Sequence, residues 1–450
     1  MNYGNTIDTL HRTAKLTLDT GEAATVEEAE RIFAGYRIQI LIGADIGGSA
    51  VLQAAALTAV NCAIRTFLGG VTVVGGIGPM RVTLPPFDQF ADAIEALGGR
   101  FARSATPTLP TLVIGDVQTD DIEPLAVRAT IAGWSGGVIP ASYRSPSGAS
   151  VAFTPAGVLA GALGVSEVFQ RLRGGNPMAC RRAIGLNLWR PDQNWLTGEA
   201  GVEVERLPSS VWLVGLGNLG QAYLWTLGLL PYGSKGAELM LQDVDVLTKS
   251  NMSTSLLTTQ DVLGCRKTRA IAAWAEARGF KTAIMERSFG PNFRVGPREP
   301  AVALIGVDNA LARQAVEEVG FDRVIESGLG KGPQDFLGIN FHTFPASKSA
   351  REIWYEAGVA EVDISQPAYR RMLERTDDRC GVVRLAGRSI GAPFVGAVAA
   401  SMVIAELIRL VRGDTRYEMI SCHLRDLDIR SVFEGNPWSP FNPGAMPLAA

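Results

Sequence analysis

The chain has 450 residues, of which 47% are hydrophobic, and a formal net charge of −3 at neutral pH. A chain of this size can bury two or three hydrophobic cores, and its near-neutral charge gives no electrostatic footprint for nucleic acid or an acidic membrane surface. The five cysteines form no CxxC pair, which argues against a secreted disulfide framework and against a structural zinc site.

The beginning of the chain contains no apolar signal core, and polar side chains such as Asn61 and Glu406 interrupt the longest apolar helices. Export and membrane insertion both require an uninterrupted apolar segment. We therefore expect a cytoplasmic protein that does not span a membrane.

Residues 1–175 are predicted to form a first domain, which contains a strand at residues 37–41, a glycine-containing turn and a long apolar helix. This order is typical of nucleotide-binding folds. Asp45, however, occupies the middle of the turn, where a carboxylate would crowd and repel a phosphate. The next strand ends in Gly75 and Gly76 rather than in an acidic residue, so this domain is predicted to be catalytically inert.

Two apolar segments, residues 154–175 and 392–414, resemble each other at one constant offset of 239 residues. The matched pairs are Gly157 with Gly396, Glu167 with Glu406, Arg173 with Arg412 and Gly174 with Gly413. Both segments are apolar nearly all round with small residues interleaved, as in tightly packed helices. The pattern indicates an internal duplication whose two halves pack as a pseudo-dimer, although two Ala/Gly-rich helices can also resemble each other by chance.

Residues 176–205 lose hydrophobic periodicity and are predicted to be a linker. Strands and helices then alternate through residues 206–344 and resume at 389–433, which predicts an α/β domain with a doubly wound sheet. Residues 345–388 form an extended, charged excursion from this domain. Residues 434–450 are predicted to be a flexible tail, in which Trp438 and Phe441 could anchor to a partner.

A glycine-rich loop follows the first strand of this second domain. Residues 211–214 are apolar and lead into Gly215, Gly217-Asn218 and Gly220, after which a helix is predicted. Glycines at this position let backbone N–H groups approach a phosphate with no side chain between. Asp243 lies 23 residues after Gly220, where a carboxylate can accept hydrogen bonds from ribose hydroxyls. These features alone also fit a dehydrogenase.

The residues that follow favour nucleotidyl transfer instead. They are Asp245, Ser250-Asn251, a Gly-x-x-Lys that ends at Lys267, and Asp308-Asn309 after an apolar strand. An amine directed at a triphosphate suits a reaction in which charge builds on the phosphate oxygens as pyrophosphate leaves. A solvated lysine would be unfavourable at a helix N-terminus unless an anion were near. Asp308 alternatively could cap the helix that begins at Asn309.

In this combination and order, the motifs resemble the adenylation domain of ubiquitin-activating enzymes and their ThiF and MoeB relatives. The likeness is specific over residues 211–330 and 391–413. One position departs from it, because Thr254 stands where the family has an arginine. Arg266 or Arg269 could supply the missing phosphate contact.

The resemblance implies that ATP binds to the second domain and that Asp308 directs Mg²⁺. It assigns catalytic roles to Lys267, to Asp308 and to an arginine from the N-terminal segment, for which Arg12 is the candidate and Lys15 the rival. The implied nucleotide-binding residues are Gly215, Gly217, Asn218, Gly220, Asp243, Asp245, Asn251, Lys267, Asp308 and Asn309.

The resemblance also places an acyl-accepting cysteine in the excursion, where Cys380 lies. Arg375, Arg379 and Arg384 are close in sequence and could stabilise a thiolate, the nucleophilic form, although neighbouring aspartates oppose this effect. A lone cysteine is more often a small buried hydrophobe, but the flanks of Cys380 are polar. Cys62, Cys265 and Cys422 have more apolar surroundings and are predicted to be structural.

The function implied is ATP-dependent adenylation of the C-terminal carboxylate of a ubiquitin-like protein, followed by a thioester on Cys380 and transfer to a conjugating enzyme. The chain would be a bacterial form, either a monomeric pseudo-dimer or a homodimer. Three alternatives remain. They are a ThiF- or MoeB-like adenylyltransferase without a thioester step, an NAD-binding oxidoreductase and an inactive scaffold.

Overall fold

The computed structural model describes residues 3–118, 122–143, 151–355, 362–436 and 441–448. Each half of the chain builds one large mixed sheet, and helices cover the sheets. The fold is α/β, with parallel strands at the centre of both sheets. This confirms the predicted fold class.

The first half contains a seven-stranded sheet of order β3-β2-β1-β4-β5-β6-β7. Its strands are β1 (Ile38–Ile42), β2 (Val71–Gly75), β3 (Arg100–Phe101), β4 (Thr111–Ile114), β5 (Val127–Ala132), β6 (Ser135–Pro140) and β7 (Ile184–Asn187). Its helices are α1 (Tyr3–Thr9), α2 (Lys15–Asp19), α3 (Val26–Ala34), α4 (Ala50–Ile64), α5 (Phe90–Ala96) and α6 (Thr154–Arg173). Strand β7 lies within the predicted linker. Its four residues are too few to show a hydrophobic period.

The second half contains an eight-stranded sheet of order β11-β10-β9-β12-β13-β14-β15-β16 and a separate pair, β8 with β17. The strands are β8 (Arg206–Pro208), β9 (Ser210–Val214), β10 (Glu238–Gln242), β11 (Lys281–Met285), β12 (Val302–Ile305), β13 (Arg323–Leu329), β14 (Gly338–Phe344), β15 (Arg416–His423), β16 (Asp426–Gly435) and β17 (Ala445–Pro447). The helices are α7 (Asn218–Gly228), α8 (Lys267–Glu276), α9 (Ala310–Gln314), α10 (Ala350–Ile353), α11 (Pro367–Arg375), α12 (Arg379–Ala386) and α13 (Pro393–Arg412).

Two predicted irregular segments have regular structure. The excursion at residues 345–388 was expected to be extended, yet its described part contains α10, α11 and α12. Helix α11 forms because Pro367 opens it and Ala368, Tyr369 and Met372 recur on one buried face. The tail was expected to be flexible, yet β17 pairs with β8 and Phe441 packs against the core. Trp438 lies outside the described residues.

The repeated helices α6 and α13 have the same length, 20 residues each, and each ends at a glycine with left-handed backbone, Gly174 or Gly413. The two helices pack against each other at the junction of the halves. Among the described residues, α13 is the one helix long and apolar enough to cross a membrane, and 94% of its most apolar window is buried inside the protein. Its apolar surface therefore belongs to the core.

Helix α4 fastens the two halves together. The buried Arg65 guanidinium donates hydrogen bonds to the carbonyls of Ser255, Leu256 and Thr258 in the second half. Asn61, one turn earlier, also donates to Leu256. Because each bond satisfies a buried polar group, separating the halves would leave several of these groups unpaired.

The turn after β1 differs from its counterpart in the second half. Asp45 lies in a short 3₁₀ turn, and its Oδ1 accepts the backbone N–H of Asp116 at 2.9 Å. The same oxygen lies 2.4 Å from the position that a Cβ on Gly115 would occupy. A carboxylate therefore fills the space between the ends of β1 and β4.

Glu167 on α6 generates a pH-dependent prediction for stability. Its side chain is fully buried; Oε2 accepts the Cys180 N–H at 2.7 Å, and Oε1 has no hydrogen-bond partner among the described residues. Burial raises the pKa of Glu167 from 4.5 to about 7, against the opposing effects of the Cys180 N–H and Arg182. Between these values the folded state binds more protons than the unfolded state.

The free energy of unfolding should therefore fall as pH rises through that window. In a Glu167→Gln variant, position 167 does not titrate. Relative to this variant, the free energy of unfolding of the wild type should therefore fall by about 3 kcal/mol between about pH 4.5 and 8. Thermal unfolding of both proteins across this range measures the difference. Parallel pH profiles would contradict the prediction.

Candidate functional site

A cleft of about 650 Å³ opens at the carboxyl ends of β9, β10 and β12 in the second half. Besides Cys380, the sequence predicts eleven site residues, and ten of these eleven line the cleft. They are Arg12, Gly215, Gly217, Asn218, Asp243, Asp245, Asn251, Lys267, Asp308 and Asn309. Gly220 and Cys380 do not line it.

The glycine loop shapes the cleft floor. Gly215 has a φ of +84°, a left-handed conformation that favours glycine. Gly220 lies behind the loop, where an added Cβ would be 1.9 Å from the Gly215 carbonyl oxygen. Gly217 has open space around the position of an added Cβ. Gly220 is thus a packing residue that lets α7 start close to the loop, and Gly217 leaves the backbone accessible.

The two aspartates after β10 hold the loop and the lysine together. Asp243 accepts the backbone N–H groups of Leu216, at 2.7 Å, and of Asp245, at 2.8 Å. The Lys267 amine lies 2.8 Å from Asp245 and 3.6 Å from Asp243. Lys267 is buried rather than solvated, and these carboxylates supply the anion that its position at the start of α8 requires.

Asn251 and Asn309 have structural roles at the cleft. Asn251 Oδ1 accepts the Thr248 N–H at 2.8 Å in a capping box. Asn309 Oδ1 accepts the N–H groups of Leu311 and Ala312 and caps α9. Asn309, rather than Asp308, therefore caps α9. The Asp308 carboxylate is exposed and faces the cleft.

The N-terminal segment reaches the cleft through Arg12. The Arg12 N–H donates to Ser253 Oγ at 3.0 Å, and Nε donates to the Ser389 carbonyl at 2.7 Å. Burial lowers the pKa of Arg12 to about 10, the neighbouring Arg388 adds to this effect, and Asp308 opposes it. The rival Lys15 instead bonds to Asp19 and to the Ala386 carbonyl.

Neither of the two arginines suggested for the missing contact lines the cleft. Arg266 donates to the Val244 carbonyl, and Arg269 is paired with Glu286 on the surface. The cleft instead contains four cations that the motifs did not indicate: Arg287, Arg313, Lys331 and Arg388. They come from segments outside the family pattern, so no local spacing in the sequence identified them.

Two cysteines are exposed, Cys265 and Cys380. The sequence predicts more apolar surroundings for Cys265, yet this cysteine lies on the surface just before α8. Cys380 is the second residue of α12, which Asp378 caps. Cys62 and Cys422 are buried, and burial raises the pKa of each thiol to about 12, which suits the inert role predicted for them.

Within the described ranges, no group of three or more His, Cys, Asp or Glu side chains is placed to hold a metal ion. Mg²⁺ needs fewer protein ligands, because it commonly binds one or two carboxylates together with substrate phosphates. Asp308 is exposed at the cleft and forms no ion pair with other described residues, so it fits that mode.

Comparison with known proteins shows the family of the chain. A model of the BilD N-terminal domain matches residues 37–188, and a model of the BilD C-terminal domain matches residues 207–414. The chain belongs to the BilD family. The Bacterial E1-like protein BilD of Collimonas sp. (strain OK412) is 42% identical over 451 residues, which cover 98% of this chain and 97% of that protein.

Solved structures are less similar to this BilD-family chain. E. coli MccB crystallised with ATP has 13% identity and a TM-score of 0.32, over 52% of this chain and 65% of MccB. PaaA has 17% identity and a TM-score of 0.32, over 50% of this chain and 64% of PaaA. The chain thus spans slightly less than two thirds of the length of both. It is the 42% identity to an E1-like protein that supports the predicted superfamily.

The two glycines of the loop allow a matched test of its packing. Gly220→Ala places a methyl group against the Gly215 carbonyl and should lower the free energy of unfolding by about 2 kcal/mol. Gly217→Ala enters open space and should leave stability nearly unchanged. Chemical denaturation of both variants measures the difference, and equal stability of the two would show that α7 does not need this close approach.

Proposed function

We propose that this BilD-family protein uses ATP to adenylate the C-terminal carboxylate of a ubiquitin-like protein and then accepts the acyl group on the Cys380 thiol. One observation carries the proposal: the bare glycine loop, Asp243, Lys267, Asp308 and Arg12 converge in one cleft. In the first half, Asp45 fills the equivalent position. This contrast supports the second half as the active fold.

The nucleotide contacts follow from the exposed groups of the cleft. Backbone N–H groups at the start of α7 and the helix dipole favour the phosphates above Gly217. Asp243 bonds to two backbone amides, yet each carboxylate oxygen can accept a further hydrogen bond from a ribose hydroxyl. Asp243 and Asp245 hold the Lys267 amine at this floor, where it can stabilise charge on the phosphates.

Asp308 would hold Mg²⁺ together with the phosphates, and the ion would neutralise the charge that develops on the leaving pyrophosphate. The substrate carboxylate oxygen attacks the α-phosphorus, and the bond from that phosphorus to the bridging oxygen of pyrophosphate breaks. The acyl group is then joined to AMP as a mixed anhydride. Arg12 lies beside Asp308 and stabilises negative charge at the same end of the cleft.

Thioester formation follows in the proposed sequence. The Cys380 sulfur, after losing its proton to solvent, attacks the acyl carbonyl carbon, and the bond from that carbon to the AMP oxygen breaks. A conjugating enzyme then receives the acyl group by exchange onto its own thiol. The proposed setting is a bacterial cytoplasm, and the duplicated halves allow one chain to act as a pseudo-dimer.

Because Cys380 does not line the cleft, thioester formation requires the excursion to move relative to the nucleotide. The N-terminal segment bonds to the excursion and to the residues directly after it. Lys15 donates to the Ala386 carbonyl, Thr13 donates to the Gly391 carbonyl, and Tyr369 donates to Asp19. Breaking these bonds would free α11 and α12, which carry the thiol.

The position of Cys380 also favours a second candidate function. An adenylyltransferase without a thioester step would use every residue of the cleft and would not need the thiol. Sulfur-carrier proteins or peptides would then be its substrates. The two functions differ only in the fate of the acyl-adenylate.

Three single substitutions separate the proposed steps. Asp308→Ala should reduce ATP–pyrophosphate exchange at least a hundredfold, because it removes the carboxylate proposed to direct Mg²⁺. Cys380→Ala should retain exchange and lose the thiol-sensitive adduct. Cys265→Ala, the matched exposed cysteine, should retain both. The assay uses a recombinant ubiquitin-like protein encoded near the gene, with exchange followed by labelled pyrophosphate and the adduct by non-reducing electrophoresis.

If Cys380→Ala still forms the adduct and Cys265→Ala does not, the thiol assignment is wrong. Exchange without any adduct in the wild type would select the adenylyltransferase that lacks a thioester step. Full exchange activity in Asp308→Ala would contradict the role of that carboxylate.

A further inference from the structure

Thr254 packs against the residues that directly follow the excursion. Thr254 is buried, and an added Cβ on Gly391 would lie 2.9 Å from its Cγ2 and 3.7 Å from Arg12 Cβ. The Thr254 methyl group therefore packs against Gly391, and Thr254 lines the cleft without carrying a charge. The small side chain of Thr254 thus fits the path of the backbone at residues 388–392.

Residues 388–392 are fastened along the wall of the cleft. Arg12 Nε donates to the Ser389 carbonyl at 2.7 Å, and Thr13 Oγ donates to the Gly391 carbonyl at 2.8 Å. From the opposite side, the Ile390 N–H donates to the Lys331 carbonyl at 3.2 Å. Since these bonds anchor its neighbours, Arg388 is held at the cleft even though its side chain is exposed.

The charges around Arg388 are unbalanced. Lys267 is neutralised by Asp243 and Asp245, and the Arg313 guanidinium lies 3.5 Å from the buried Glu326 carboxylate. Arg388 forms no ion pair with any described residue, and it lies close enough to Arg12, beside Asp308, for its charge to lower the pKa of the Arg12 guanidinium. Two adjacent cations repel each other unless an anion lies between them.

We propose that Arg388 binds the β- and γ-phosphates of ATP and supplies the cationic contact that Thr254 cannot make. This rests on the proposed function, because it assumes that ATP occupies the cleft. Phosphate oxygens suit a guanidinium, which presents two parallel N–H donors to them. Asp308, which would hold the cation, and Arg12 lie at the same end as Arg388, so the terminal phosphates rather than the adenosine would meet Arg388.

The test measures nucleotide binding directly, by calorimetric titration of the full chain with Mg·ATP and, separately, with AMP. Arg388→Ala should weaken Mg·ATP binding about tenfold or more, since a charge-assisted contact is lost, and should leave AMP binding unchanged. Arg388→Lys should recover part of the affinity. Arg384→Ala removes another exposed arginine, four residues earlier and outside the cleft lining, and should bind both nucleotides like the wild type.

Wild-type affinity of Arg388→Ala for Mg·ATP would overturn the inference. Equal weakening of Mg·ATP and AMP, or an equal loss in Arg384→Ala, would also overturn it, because the effect would not depend on the terminal phosphates. Thermal unfolding of each variant shows whether the fold is retained, and Arg388→Lys provides the test if the alanine variant unfolds. A wild-type chain that binds no Mg·ATP would refute the proposed function itself, which these other outcomes leave standing.

Discussion

The N-terminal segment lies on the second half of the chain and completes the wall of the cleft with Arg12. The backbone of Arg12 bonds to Ser253 Oγ, and its side chain bonds to the Ser389 carbonyl. This one residue therefore joins three segments that are more than one hundred residues apart in sequence. Helix α4 makes the same junction rigid through Arg65, whose buried guanidinium bonds to three carbonyls of the second half. A cleft built this way depends on both halves being folded and in contact.

Within this shared body, the turn after the first central strand differs between the two sheets. The turn after β9 presents Gly217 with open space around it, and the turn after β1 presents Asp45, whose carboxylate bonds to the Asp116 N–H. A carboxylate fixed where a phosphate would approach disfavours nucleotide binding, because it repels the phosphate charge and occupies its space. The first half then contributes packing and the N-terminal segment with Arg12, while the second half contributes the remaining site residues. The loss of nucleotide binding that we propose for the first half is compatible with its role as a structural partner of the second half.

The repeated helices and the glycine loop could be predicted because their signals are local. An all-round apolar pattern at a constant offset of 239 indicates buried helices, and a strand that runs into spaced glycines indicates a phosphate loop. Local signals also have limits. Asp308 and Asn309 are adjacent, so the sequence could not decide which one caps α9. The sequence predicted Asp243, Asp245 and Lys267 as site residues. Only the fold shows that the two carboxylates hold the Lys267 amine.

Arg388 and the helices of the excursion were missed because they depend on distant contacts. Helix α11 buries Tyr369 against the N-terminal segment, where it bonds to Asp19, and this partner lies 350 residues away. No window of sequence contains both residues. The cations of the cleft wall have the same origin, since Lys331 and Arg388 are brought together by a bond between the backbones of residues 331 and 390.

The central claim is that only the second half holds ATP. A crystal structure of the full chain with a non-hydrolysable ATP analogue and Mg²⁺ tests it most directly. The account predicts one nucleotide per chain, with its phosphates above the Gly215–Gly217 loop and its ribose at Asp243. A nucleotide bound beside Asp45 in the first half would contradict it.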